Sequence, residues 1–211
     1  MMNYNFIAIE GNIGAGKTSL AKMIARDYNA KLILEQFEDN AFLPKFYKEP
    51  DKYAFPLEMS FLASRFQQLK DQLGDRDLFK TFTISDYYII KSLIFAGKTL
   101  ASDELKLYNR FFQIIHTQLP KPDLFVFLYV DTPRLQKNIK DRGRPYEQEI
   151  QNDYLDKIQS GYFDFMNHQR DMKILILDTN KLDFVNNQEH YQQIVDALSK
   201  EYTTGVHRIT F

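Results

Sequence analysis

Residues 11–18 read Gly-Asn-Ile-Gly-Ala-Gly-Lys-Thr, which puts Gly11, Gly16, Lys17 and Thr18 at the spacing GxxxxGK[ST]. This spacing builds a phosphate cradle. Glycines let the backbone approach phosphate oxygens in conformations that a side chain forbids. The loop amides and the N-terminus of the next helix then face the anion. Lys17 reaches the β- and γ-phosphates of a nucleoside triphosphate such as ATP, and the Thr18 hydroxyl holds Mg²⁺. The expected contact set is Gly11, Asn12, Ile13, Gly14, Ala15, Gly16, Lys17, Thr18 and Ser19. Acids stand at the ends of apolar runs at Glu10, Glu35, Asp86 and Asp131. Asp131 precedes Thr132-Pro133 and reads as a turn former. Glu35 and Asp86 are the better candidates for chemistry at a phosphate site, Asp86 as a second Mg²⁺ ligand. Arg142 and Arg144 flank Gly143 after a helical stretch. Two guanidinium forks match phosphate oxygens in pairs, and the glycine suits a mobile lid over about 141–150.

Apolar runs alternating with helical patterns must position these groups. Strands are expected at Phe6–Ile9, Lys31–Glu35, Phe82–Ser85, Asp123–Val130 and Lys173–Leu177. Helices are expected after Lys17, over 54–73, 87–96 (closed by Gly97), 102–119, 153–167 and 187–200, and another opens at Asp131-Thr132-Pro133. Residues 36–53, with Pro44 and Pro50, read as irregular. The expected fold class is α/β: an approximately five-stranded parallel sheet covered by helices on both faces, with the Arg-rich segment as a lid, forming one domain over 1–211. Ligands in such sheets bind outside the carboxyl ends of the strands. On the helix 54–73, Glu58 lies beside Leu57 and one turn from Phe61 and Leu62, so it faces inward. A buried carboxylate needs a partner, and a ligand with N–H donors provides one.

Composition removes other classes. With no cysteine among 211 residues, thiol catalysis, disulfides and Cys-ligated metals are excluded. The four His stand at no zinc spacing. A net charge of −1 disfavours a nucleic-acid polymer or an anionic membrane as partner. No apolar stretch reaches membrane-spanning length and no signal peptide is visible, so a cytoplasmic protein is expected.

The chain resembles the deoxynucleoside kinase family from Phe6 to about Phe184. The resemblance rests on the P-loop, Glu35, the segment Phe46–Tyr53 leading into the helix 54–73, Asp86, Arg142-Gly143-Arg144 with Glu147, and Asp183-Phe184. It implies a P-loop kinase fold and phosphoryl transfer from ATP with Mg²⁺ to the 5′-hydroxyl of a deoxynucleoside, usually by a homodimer. By the same resemblance Glu35 accepts the hydroxyl proton. Tyr47 and Glu147 hold the sugar 3′-hydroxyl, and Arg142 and Arg144 cover the transferring phosphate. Glu58 and Arg65 contact the base, Phe95 stacks on it, and Asp183 and Phe184 border the donor adenine. The family's arginine after the third strand is replaced by Tyr87, so the cation beside the 5′-hydroxyl must come from elsewhere, the lid being one source. Glu58 stands where the family carries glutamine.

An ionised Glu58 only accepts hydrogen bonds. It matches the adjacent N1–H and N2 amine of guanine, with Arg65 two helical turns on available for O6 and N7. A purine deoxynucleoside is therefore expected as substrate, deoxyguanosine first. Deoxyadenosine is next, reached if Glu58 is protonated and donates to adenine N1. Two other readings stand beside this one. A nucleoside monophosphate kinase such as thymidylate kinase needs an arginine where Tyr87 stands. A GTPase switch is suggested by Asn180-Lys181-Leu182-Asp183, which fits NKxD, but its DxxG has only Asp71–Gly74, at the end of a long helix.

Overall fold

The computed structural model describes residues 3–36, 40–74 and 77–211. In chain order the elements are β1 (Phe6–Gly11), α1 (Lys17–Asp27), β2 (Lys31–Ile33), α2 (Leu43–Lys48), α3 (Pro50–Leu73), β3 (Thr83–Ser85), α4 (Ile90–Thr99), α5 (Ser102–His116), β4 (Leu124–Tyr129), α6 (Thr132–Arg142), a 3-10 turn (Pro145–Glu147), α7 (Asn152–His168), β5 (Lys173–Asp178), α8 (Gln188–Leu198) and β6 (Gly205–Thr210). They divide into two compact units.

The first unit holds the chain up to Leu34, Asp77–Tyr87 and Lys121–Phe211. Its sheet is parallel throughout, in the order β2-β3-β1-β4-β5-β6. The inner strands β1 and β4 are near-continuous apolar runs, because a parallel strand flanked by helices is buried on both faces. Ile7 pairs in register with Ile84 on one side and Leu124 on the other. The chain leaves β1 for β2 and β3 on one side, then returns to β4 on the other. The carboxyl end of β1, where the phosphate loop starts, is thus the switch point of the sheet. Glu10, inside β1, is buried and accepts a hydrogen bond from the Tyr162 hydroxyl at 2.7 Å. Asp131 caps α6 by accepting from the Arg134 N–H at 3.0 Å, the role read from its Thr-Pro neighbours.

The second unit, Glu35–Arg76 with Tyr88–Pro120, is helical among the described residues. Here α3 packs on α4 and α5, and α2 lies on α3 around a small apolar cluster of Phe46, Ala54 and Leu57.

The sheet has six strands among the described residues where about five were expected. The stretch 36–53, read as irregular, contains α2 and the start of α3, while 37–39 within it lie outside the described residues. Gly97 does not end α4, which continues to Thr99, and α5 stops at His116, short of Leu119. No helix among the described residues is long and apolar enough to cross a membrane.

Candidate active site

The phosphate loop belongs to the first unit. Gly14 and Gly16 have φ of 83° and 86°, a region that side chains disfavour. A Cβ at Gly14 would stand 2.9 Å from the Leu135 carbonyl oxygen, and one at Gly16 would stand 2.8 Å from the Phe184 ring. The loop is pinned through Asn12, whose Nδ2 donates to the Leu155 carbonyl at 2.8 Å and whose Oδ1 accepts from the Ile13 N–H at 2.9 Å. Lys17 Nζ reaches back over the loop to the Gly11 and Asn12 carbonyls at 2.9 and 2.8 Å.

Asp86 follows β3, and its Oδ2 accepts from the Thr18 hydroxyl at 2.5 Å. One carboxylate beside one hydroxyl, next to a phosphate cradle, suits Mg²⁺, which takes one or two protein ligands and completes its shell with substrate phosphates and water. Among the described residues no larger group of acids and histidines could hold a metal by itself.

At the end of α6, Gly143 takes a φ of 70° and turns the chain so that Arg142 and Arg144 both point at Glu147. Arg142 donates to Glu147 Oε2, and Arg144 lies 3.3 Å from Oε1. Glu147 is buried. The loop, both lid arginines, Asp183 and Phe184 line one cavity of about 620 Å³ within this unit. Asp183 accepts from the Asn186 N–H and Nδ2, and Asn180 is bonded to Asp131 and Asp178. The NKxD match is therefore occupied by loop-shaping bonds. Its DxxG counterpart is helical, with Asp71 bonded to Gln67.

The second unit carries a buried charged cluster. Glu35, the residue after Leu34, meets Lys91 Nζ of α4 at 2.5 Å through Oε2. Its Oε1 meets Arg65 of α3, with Nε at 2.8 Å and NH2 at 2.7 Å. Arg65 NH1 donates to the Ser92 hydroxyl at 2.8 Å, and its guanidinium lies 4.6 Å over the Phe61 ring. Burial pushes the Glu35 carboxyl up, but Lys91 and Arg65 outweigh burial and hold it at about 2. Glu58 behaves in the opposite way. It is buried, accepts from the Thr99 hydroxyl at 3.0 Å through Oε1, and has no hydrogen-bond partner for Oε2 among the described residues. Burial raises its carboxyl to about 7, with Arg65 opposing. Tyr47 is half-buried beside Phe46, with ring centroids 5.5 Å apart. Phe95 is half-buried, with Lys91 Nζ 5.6 Å from its ring centroid.

The structure thus joins Thr18 to Asp86, the lid arginines to Glu147, and Arg65 to Glu35. It also supplies a cation that the sequence reading missed. Tyr87 is completely buried, and Lys91 stands at the Glu35 carboxylate. The signal was present, since Lys91-Ser92 is a polar pair between Ile90 and Leu93 in a helix whose neighbours are apolar. Arg65, expected at a base edge, has its guanidinium engaged by Glu35 and Ser92.

The family model described as Deoxynucleoside kinase matches residues 7–203. The chain is 38% identical over 194 residues to a deoxyguanosine kinase of Bacillus subtilis, covering 90% of this chain and 93% of the relative. It is 31% identical over 189 residues to a deoxyadenosine kinase of Dictyostelium discoideum, covering 89% and 77%. Among solved structures, deoxyadenosine kinase from M. mycoides with dCMP and dCDP bound superposes with a TM-score of 0.79, at 24% identity and over 92% of this chain and 98% of that one.

Proposed function

The chain belongs to the deoxynucleoside kinase family, and we propose that it transfers the γ-phosphoryl group of ATP to the 5′-hydroxyl of a purine deoxynucleoside, deoxyguanosine before deoxyadenosine. The observation that carries this reading is Glu35, an ionised carboxylate buried between Lys91 and Arg65. A buried, doubly held carboxylate is a means of fixing a proton acceptor in one orientation.

In this reading the first unit binds the donor. Gly11–Ser19 and Lys17 take the β- and γ-phosphates, and Asp183 and Phe184 border the adenine. Thr18 and Asp86 hold Mg²⁺, which when bound neutralises charge on the phosphates. Arg142 and Arg144 serve the charge that spreads over the equatorial oxygens in a loose transition state, and Glu147 orients both. The second unit binds the acceptor, with Phe95 stacked on the base. The 5′-oxygen bonds to the γ-phosphorus as the bond to the β-phosphate oxygen breaks, ADP leaves, and the hydroxyl proton passes to Glu35. At about 2, Glu35 is a weak base, so it orients the hydroxyl first and takes the proton only as the new bond forms. Lys91 supplies the cation beside that carboxylate.

Glu58 carries the base choice. Ionised, it accepts from guanine N1–H and the N2 amine. Protonated, it donates to adenine N1. A homodimer is part of the same reading, supported by Leu107, Phe111 and Ile114, which form an exposed apolar stripe on α5. The test of the reaction type is a product assay offering deoxynucleosides and their monophosphates separately with Mg²⁺ and ATP. Monophosphate formed from nucleoside supports the reading, and phosphorylation of monophosphates alone makes the chain a monophosphate kinase.

A further inference from the structure

One face of α6 touches three different parts of the cavity in the first unit. Arg134, Asn138 and Arg142 stand at i, i+4 and i+8, so they line up on one side of the helix, and all three line that cavity. Arg142 goes to the lid. Asn138 Nδ2 donates to the carbonyl of Gly14 in the phosphate loop at 2.9 Å. Arg134 goes to the loop after β5. Its NH1 donates to the Thr179 carbonyl at 3.1 Å and to the Asn180 carbonyl, and its NH2 donates to the Leu182 carbonyl.

Those three carbonyls belong to the stretch that leads into Asp183 and Phe184. The stretch is a tight turn, with the Leu182 N–H donating to the Thr179 carbonyl at 3.0 Å. It is tied to α6 a second time, by the Asp131 N–H donating to Asn180 Oδ1 at 2.9 Å. A turn that aims three carbonyls at one point needs a donor with several N–H groups in fixed directions. A guanidinium has them, while an ammonium on a flexible stem does not. None of the Arg134 bonds reaches the phosphate-loop amides or Lys17. Its influence on a bound nucleotide runs through the loop that places Phe184 against Gly16.

We propose that Arg134 is a positioning residue for the base end of the donor nucleotide: it fixes residues 179–184 in the shape that borders the donor base and leaves the phosphate site alone. The inference rests on reading this cavity as the donor site. Asn138, four residues on, serves as the contrast, because it touches the phosphate loop itself.

The test is calorimetric binding to the full-length chain of two probes with Mg²⁺, ADP and inorganic tripolyphosphate. Arg134→Ala is expected to weaken ADP by about tenfold or more, the scale of losing one to two charged hydrogen bonds' worth of order, with tripolyphosphate binding unchanged. Unchanged tripolyphosphate binding also shows that the variant is folded. Arg134→Lys is expected to fall between wild type and Arg134→Ala for ADP. Asn138→Ala is expected to weaken both probes. Equal loss of ADP and tripolyphosphate in Arg134→Ala, or no loss of ADP, overturns the inference while the donor reading stands. Wild-type protein that binds neither probe removes the donor reading and the inference together.

Discussion

Replacing Glu58 by glutamine should perturb stability and, on the proposed reading, specificity through one proton. The carboxyl is buried, with no hydrogen-bond partner for Oε2 among the described residues, and sits at about 7 against the usual 4.5. At about 1.4 kcal/mol per pH unit, that rise corresponds to roughly 3 kcal/mol. Folding raises this pKa, so the folded protein binds the proton more tightly than the unfolded chain. The stabilisation is complete below about pH 4.5 and is lost as pH rises through about 7. Glutamine keeps the shape and does not titrate. The stability of Glu58→Gln relative to wild type should therefore improve by roughly 3 kcal/mol between pH 4.5 and pH 8, read as the difference in urea unfolding free energy without ligand. On the proposed reading, the same proton sets base choice. In wild type the ratio of kcat/KM for deoxyguanosine over deoxyadenosine should climb with pH through about 7. In Glu58→Gln the ratio should be flat and shifted toward deoxyadenosine, because one guanine N–H then faces an amide donor, a mismatch of roughly 1–3 kcal/mol. Parallel stability profiles for the two proteins, together with a flat ratio in wild type, would refute the reasoning.

Glu35→Gln should lower kcat by about 10²–10⁴-fold while nucleoside binding survives; a loss of affinity alone makes Glu35 a binding residue. Lys91→Met removes a cation that holds the Glu35 carboxyl down, so the acid limb of the kcat–pH profile should move up by about one pH unit or more, and Lys91→Arg should restore it. An unmoved limb removes Lys91 from the account. Arg142→Ala and Arg144→Ala should each lower kcat more than they raise the nucleoside KM, since their charge matters most in the transition state. The reverse split makes the segment a surface feature.

Legibility in the sequence followed the range of the interaction. The phosphate loop was readable because its chemistry is written in eight consecutive residues, Gly11–Thr18, and its flanks carry opposite periodicities. The inward face of Glu58 was readable from its apolar neighbours, but its protonation was not, because that depends on burial by α4 and on Thr99, 41 residues away. The Lys91–Glu35 pair spans 56 residues, and only the packing of the second unit brings it together. The strand β6 escaped because it is an edge strand that alternates half-buried and exposed residues, and its pairing with β5 is non-local. The helix α2 was hidden by Pro44, which is tolerated in a first turn. Gly97 looked like a stop but sits in open space, where nothing forces the helix to end.

The central claim is a transfer to purine deoxynucleosides, and it is tested most directly by steady-state kinetics of the four deoxynucleosides with Mg²⁺ and ATP, with products identified by mass. The account predicts 5′-monophosphates, with kcat/KM highest for deoxyguanosine, deoxyadenosine next, and both pyrimidines below. Preference for deoxycytidine or thymidine over both purines contradicts the role given to Glu58, and no nucleoside-dependent ADP release contradicts the transfer itself.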